Sequence, residues 1–336
     1  MRIVVKVFKW LGCAVAGAGA VGLLYQLIGN AFDGKYAPPA SEMIMVDGRT
    51  VHFVCTGQGT RLYLLDAGAG VGAIEWDYLI PLLAKRGRVC SFDRPGLGWS
   101  DDTGEAHDVT TLVNRIGAIV HAAKIAIPFV YVGHSLGADD AIVYRDKNPH
   151  DVAALVLIEP GRPQDFLAHF HGSRFAAMAV TDCGFTCVAA EAAAWLGMTR
   201  FFTRSAAPGR PAADARMENE YLAQIAHPAQ TMAIMATVAS LPKSAYEIMD
   251  VKSFRDTPVL VLTSSKPRKR DSDETIPAFE KWRNDQLSWL TSLARMSSRG
   301  TGPIVIPDSN HASMVMTRKG AAAVARNIMN FLDRSM

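Results

Sequence analysis

The residues Gly133-His134-Ser135-Leu136-Gly137 close an apolar run that begins at Ile125, I-A-I-P-F-V-Y-V-G-H-S-L-G. A short apolar stretch ending this way fits a buried strand that turns sharply into a helix, with Ser135 at the apex of the turn. Gly133 and Gly137 leave room there, because neither carries a side chain to clash across the bend. The chemistry open to such a serine is nucleophilic attack on an acyl carbon. A free hydroxyl is a poor nucleophile, so the reaction also needs a base, a group that orients the base, and N–H donors for the developing oxyanion. His311, in Asp308-Ser309-Asn310-His311 just past a late apolar run, is the candidate base. The backbone N–H of Leu136, at the start of the helix, is one candidate donor. His134 is expected to point away as part of the turn.

Elements to position these groups can be read along the chain. Met43 to Val46 and Thr50 to Val54 flank Asp47-Gly48, which predicts an antiparallel hairpin. Buried strands are expected at Leu62 to Leu65, Arg88 to Phe92, Ala153 to Ile158, Pro258 to Leu262 and Pro303 to Ile306. Helical patterns cover Trp76 to Lys85, Asp108 to Lys124, Leu136 to Asp146, Pro277 to Met296 and Ala321 to Leu332. Between Gly161 and Asp256 strand signals vanish and helical ones take over, with breaks at Gly184, Pro208 to Pro211 and Pro228. This block reads as a helical cap inserted between two core strands. Within it Trp195, Phe201, Phe202 and Met232 to Met235 suggest either an apolar roof or ordinary core packing. The organisation expected is a segment 1–33, a linker 34–42, a core formed by 43–160 and 257–336, and a cap 161–256.

Trp10 to Phe32 contains no charged residue. As a helix at about 1.5 Å per residue it is long enough for a ~30 Å hydrocarbon core. The basic tip Arg2, Lys6 and Lys9 favours a cytoplasmic N-terminus, which makes the chain single-pass with its large domain extracytoplasmic. The alternative is secretion after cleavage near Gly29-Asn30-Ala31. The same run holds Gly17, Gly19 and Gly22 in a formal G-x-G-x-x-G match. The apolar run simply continues where a βαβ unit should follow, and the first acid is Asp33 in place of one about 20 residues on, so a dinucleotide site is not expected.

Without that basic tip, acids and bases balance at 32 each, which gives no electrostatic support for nucleic-acid binding. Five cysteines are too few and too scattered for a disulfide scaffold; Cys183 and Cys187 are near enough to bridge in an oxidising compartment, or are two separate buried thiols. His169 and His171 lack zinc-ligand spacing, and no metal is expected.

Three marks in order, the loop Asp66-Ala67-Gly68-Ala69-Gly70, the segment Asp93-Arg94-Pro95-Gly96-Leu97-Gly98-Trp99-Ser100 and the Ser135 elbow, followed by the late Ser309-Asn310-His311, resemble the α/β-hydrolase superfamily. The resemblance spans roughly Met43 to Leu332. It implies an α/β fold with a mostly parallel central sheet flanked by helices. It also implies a serine hydrolase acting on an ester or related acyl bond of a small molecule without a cofactor; an apolar acyl group on that substrate is suggested mainly by the membrane segment. The acid of the triad is then Glu159, after the strand that follows the elbow helix, or Asp273, which shares a D-x-x-x-P spacing with Pro277, or Asp271. The second oxyanion donor belongs in the Asp66 to Gly70 loop, with Ala69 the first choice and Gly68 the next. Proline-iminopeptidase-like, thioester and carbon–carbon bond hydrolysis stay open, as does a ligand-binding module that keeps the fold without turnover.

Overall fold

The computed structural model describes residues 2–172, 183–205, 215–266 and 274–336. Eight strands form one sheet: β1 (Met43–Val46), β2 (Arg49–Thr56), β3 (Leu62–Asp66), β4 (Arg88–Phe92), β5 (Phe129–His134), β6 (Val152–Ile158), β7 (Val259–Ser264) and β8 (Gly300–Ile306). Their spatial order is β1-β2-β4-β3-β5-β6-β7-β8. β1 and β2 pair antiparallel, as do β2 and β4, and every later pairing is parallel. The β1–β2 turn has positive φ at both Asp47 (48°) and Gly48 (76°), the backbone that a two-residue Asp-Gly hairpin requires.

β3 and β5 are buried at every residue. Such strands need helices on both faces of the sheet, which explains their unbroken apolar sequence. One face is covered by α3 (Val109–Ala122), α4 (Leu136–Lys147) and α10 (Ile276–Arg295), the other by α2 (Ile80–Leu83) and α11 (Arg318–Ser335). α3 starts where Asp108 accepts the N–H of Thr111 at 3.1 Å, and it buries Leu112, Val113, Ile116, Ile119 and Val120. The predicted helix over 76–85 is shorter than expected. A 3-10 turn at Ala73–Trp76 precedes α2, in which Pro81 falls in the first turn. Proline has no N–H to donate back, so the helix begins there and does not run through it.

Between β6 and β7 the described residues form α5 (Pro163–Gly172), α6 (Cys183–Trp195), α7 (Met198–Ser205), α8 (Ala215–Ile225) and α9 (Pro228–Asp250). Pro228 opens α9 as expected, whereas Gly184 lies in the first turn of α6 and does not break it. The stretch Pro208 to Pro211 lies outside the described residues, as do Asp271, Asp273 and the side chains of His169, His171, Cys183 and Cys187.

A disulfide joins Cys55 to Cys90, a pairing that cysteine spacing does not suggest. The two residues are 35 positions apart and face each other in the antiparallel register of β2 and β4. Strand order, not sequence separation, brings them together.

α1 (Arg2–Asp33) is one continuous helix. The helical segment Lys6–Tyr36, which runs one 3-10 turn past the end of α1, is long and apolar enough to cross a membrane, a test that a signal sequence near an N-terminus also passes. The last turns of α1 lie against the helices that separate β6 from β7. Gln26 donates to the Ala226 carbonyl at 3.0 Å, and Arg200 of α7 pairs with Asp33. The G-x-G-x-x-G match is therefore helix surface, and a methyl on Gly22 would sit 2.5 Å from the Leu196 carbonyl oxygen.

Candidate active site

Ser135 joins β5 to α4 with φ 53° and ψ −121°. A non-glycine residue at such a φ costs about 1–3 kcal/mol and persists only where its surroundings impose it. Here its N–H donates to the Ile158 carbonyl at 2.9 Å, and its own carbonyl accepts the N–H of Ala138 (2.9 Å) and Asp139 (3.2 Å). The flanking glycines are needed on steric grounds. A methyl on Gly133 would lie 2.2 Å from the Gly137 oxygen, and one on Gly137 would lie 2.1 Å from the Asp66 oxygen.

Glu159 follows β6, the strand next to β5, and also has positive φ (48°). His311 follows β8 on a loop tied to the end of β7, where the Lys266 N–H donates to the Ser309 carbonyl at 2.8 Å. The fold brings these two together, with His311 Nδ1 2.9 Å from Glu159 Oε2. The other carboxylate oxygen, Oε1, accepts from the Ser264 N–H (3.0 Å), the Ser264 hydroxyl (2.7 Å) and the Thr263 hydroxyl (3.1 Å). Burial by itself would raise the Glu159 carboxyl. The hydrogen bond and charge of His311, together with the Ser264 donors, more than offset this and bring it down to about 2.

Ser135, Glu159 and His311 line one cavity of about 640 Å³, with Phe166, Trp282 and Leu287 among its apolar walls. The residues expected as an apolar roof do not line it. Trp195, Phe201 and Phe202 are exposed instead, because α6 and α7 turn toward α1 and the wall comes from α5 and α10. A depression of similar size beside α10, lined by Lys252, Asn284 and Arg295 among others, holds no nucleophile, base and acid together among the described residues.

The loop after β3 runs beside the serine, and a methyl on Gly68 would lie 3.4 Å from Ser135 Cβ. The Gly68 N–H is already taken, since it donates to Glu75 Oε2 at 2.7 Å. Among the described residues the N–H groups of Ala69 and Leu136 make no such bond, and Leu136 heads α4, where helix N–H groups lack internal partners.

Glu75 has no counterpart in the sequence reading. Its other oxygen, Oε1, lies 2.8 Å from Nδ1 of the buried His134, and the His134 ring lies against that of His311, tilted by 37° with centroids 4.6 Å apart. Burial opposes ionisation of both partners, and their mutual charge wins: the Glu75 carboxyl is lowered and the His134 imidazole raised from their ordinary values. His134 is one partner of a pair that ties the β3 loop to the elbow. No local motif announces this, because the two residues are 59 positions apart.

The Asp93 to Ser100 segment is scaffold. The Asp93 carboxylate accepts from the N–H groups of Ala73 (2.6 Å) and Trp99 (2.8 Å) and lies 2.8 Å from His52 Nδ1. Arg94 donates to Asp66 at 2.9 Å and to the Gly68 carbonyl at 3.3 Å. The motif thus braces the loop beside the serine from behind.

This fold, with a strained serine between the central strand and its helix, defines a class of protein. Residues 63–326 match the alpha/beta hydrolase family, and the chain belongs to it. It is similar to the Bacillus subtilis protein YbdG, at 21% identity over 129 residues covering 38% of this chain and 40% of that protein. It is also similar to a 2-hydroxy-6-oxononadienedioate/2-hydroxy-6-oxononatrienedioate hydrolase of Cupriavidus pinatubonensis, at 32% identity over 123 residues covering 34% and 42%. The matches span less than half the length of these curated relatives. The fold resembles that of a thermophilic esterase from Thermogutta terrifontis, with a TM-score of 0.57 and 18% identity over 87% of this chain and 98% of that one.

Proposed function

We propose that this α/β hydrolase is a serine hydrolase that cleaves an ester or related acyl bond of a small molecule through an acyl-enzyme. The observation that carries the reading is the Glu159–His311 hydrogen bond at 2.9 Å in the cavity that Ser135 also lines. Ser135 Oγ attacks the acyl carbon while His311 Nε2 takes its proton, and Glu159 holds Nδ1–H and stabilises the imidazolium that forms. The N–H groups of Leu136 and Ala69 receive the oxyanion, each such donor contributing about 3 kcal/mol to the transition state. His311 then protonates the leaving group. Water attacks the acyl-enzyme with His311 as base, releasing the acid and restoring Ser135. The helices between β6 and β7 act as the cap over this site, and α1 acts as an uncleaved membrane anchor that holds the domain outside the cytoplasm. The Cys55–Cys90 bridge supports that placement, since disulfides persist in oxidising compartments.

The test is labelling with a fluorophosphonate probe and turnover of p-nitrophenyl esters of graded acyl length. Ser135→Ala is expected to lose both. Equal labelling of that variant overturns the proposal. Carbon–carbon bond hydrolysis is the second reading, favoured by the similarity to the Cupriavidus hydrolase. Turnover of a vinylogous diketone acid with no ester turnover selects it.

A further inference from the structure

The corner between α6 and α7 carries a cluster of exposed apolar side chains. Trp195, Leu196, Met198, Phe201 and Phe202 are between 40% and 60% exposed. From Val188 to Ser205, the end of α7, the charged residues are Glu191, Arg200 and Arg204. Arg200 is not on the surface. It is 1% exposed and spends its donors on α1, reaching Gln26 Oε1 (3.2 Å), Asn30 Oδ1 (2.7 Å) and Asp33. Gly29 makes room for it, because a methyl there would lie 2.4 Å from the guanidinium carbon. The corner itself rests lower on the same helix face. A methyl on Gly19 would lie 3.8 Å from the Leu196 side chain, one on Gly22 2.5 Å from the Leu196 carbonyl oxygen, and one on Gly197 2.7 Å from the Tyr25 ring.

These contacts fix the depth of the corner relative to α1. Gly19 and Gly22 lie ten and thirteen residues beyond Lys9, about 15–20 Å along the helix, whereas a hydrocarbon core is ~30 Å thick. Measured from the other end, Gly22 lies eleven residues, about 16 Å, before Asp33. If α1 crosses a bilayer, both measures put Leu196 about 10 Å or more below the outer boundary of the core. The polar clamp of Arg200, Gln26, Asn30 and Asp33 then falls at the boundary, with its charges paired.

We propose that the α6–α7 corner is inserted in the outer leaflet beside α1, with the lipid acyl chains as its binding partner. The domain is then held on the membrane by two contacts in fixed orientation and does not swing on the linker. Three observations point to lipid: the corner is continuous with the apolar surface of α1, its exposed side chains are apolar, and its one buried cation is neutralised from within. Glu191, about 7 Å back along α6, forms the polar edge of the patch. The proposal rests on the reading of α1 as a membrane span.

The test uses the full chain reconstituted in phosphatidylcholine vesicles. An environment-sensitive fluorophore is attached at Met198→Cys, with Cys13, Cys183 and Cys187 replaced by serine and the Cys55–Cys90 bridge kept. A second preparation retains Cys13 as the sole free thiol and reports on α1. A third carries Lys281→Cys on α10, an exposed site elsewhere on the domain. The expected result is quenching of the probes at 13 and 198, but not at 281, by lipids with a nitroxide on the acyl chain. Quenching at 13 without quenching at 198 overturns the docking and leaves the anchor standing. A blue-shifted probe at 198 that nitroxide lipids do not quench means that protein covers the corner, and also overturns it. Absence of quenching at both 13 and 198 removes the membrane span and the docking with it.

Discussion

Glu159→Gln tests the proposed acid without changing the size of the side chain. The structure sets which end of the amide would face the histidine. Oε1 accepts three hydrogen bonds, from Thr263 and Ser264, and so fixes the carbonyl oxygen of the glutamine on that side. The NH₂ group is left facing His311 Nδ1, which must then accept. The proton moves to Nε2, and His311 can no longer take the proton of Ser135. The charge alone is worth much of the rate. Against the burial that would raise it, His311 and the Ser264 donors bring the Glu159 carboxyl down to about 2, and a neutral amide cannot offer that charge to the imidazolium. Adding the wrong tautomer extends the expected loss in kcat to about 10²–10⁴-fold, with KM little changed. The assay is p-nitrophenyl ester turnover, with the rate of fluorophosphonate labelling as a second readout and thermal melting to show that the variant is folded. A Glu159→Gln enzyme within tenfold of wild type refutes the assignment. Loss in Asp273→Asn in its place would move the acid to the 267–273 segment.

Glu75→Gln is expected to cost stability in a defined pH window. The Glu75 carboxyl is lowered and the His134 imidazole raised in the folded protein, so their pairing contributes above the ordinary carboxylate range and is lost as pH rises through the raised His134 value. The Tm gap between wild type and variant should therefore be widest between the ordinary carboxylate and imidazole ranges and narrow as pH rises beyond the latter; a gap that grows with pH refutes the pairing. Asp139 behaves in the opposite sense, since burial pushes its carboxyl well up and holds the acid neutral. Its ionisation in the unfolded chain drains stability as pH rises above ~4, so Asp139→Asn should gain Tm relative to wild type between pH 5 and 8, measured by scanning calorimetry. Replacing Cys55 and Cys90 together by serine opens a link spanning 35 residues and should cost about 3–4 kcal/mol in denaturant unfolding, whereas wild type should show no free thiol at either position.

Where chemistry imposes a local pattern, the sequence shows it. The elbow is legible because a serine at positive φ needs glycines on both sides, and the buried strands because covering both faces makes them apolar throughout. The hairpin at Asp47-Gly48 and the start of α3 at Asp108 are legible for the same reason: turns and caps are made by the residues at hand. Tertiary structure alone decided what depends on distant segments meeting. It put Glu159 against His311, 152 positions apart, and joined Cys55 to Cys90 across strands whose order crosses the chain. It tied Glu75 to His134, and turned Phe201 and Phe202 away from the cavity by seating Arg200 on α1. None of these pairs leaves a periodicity or a motif, because each partner is locally an ordinary charged, sulfur-bearing or apolar residue. Ser135 and its turn are legible in the sequence; the groups that hold and surround it come from the order of strands in the sheet and the packing of helices around it.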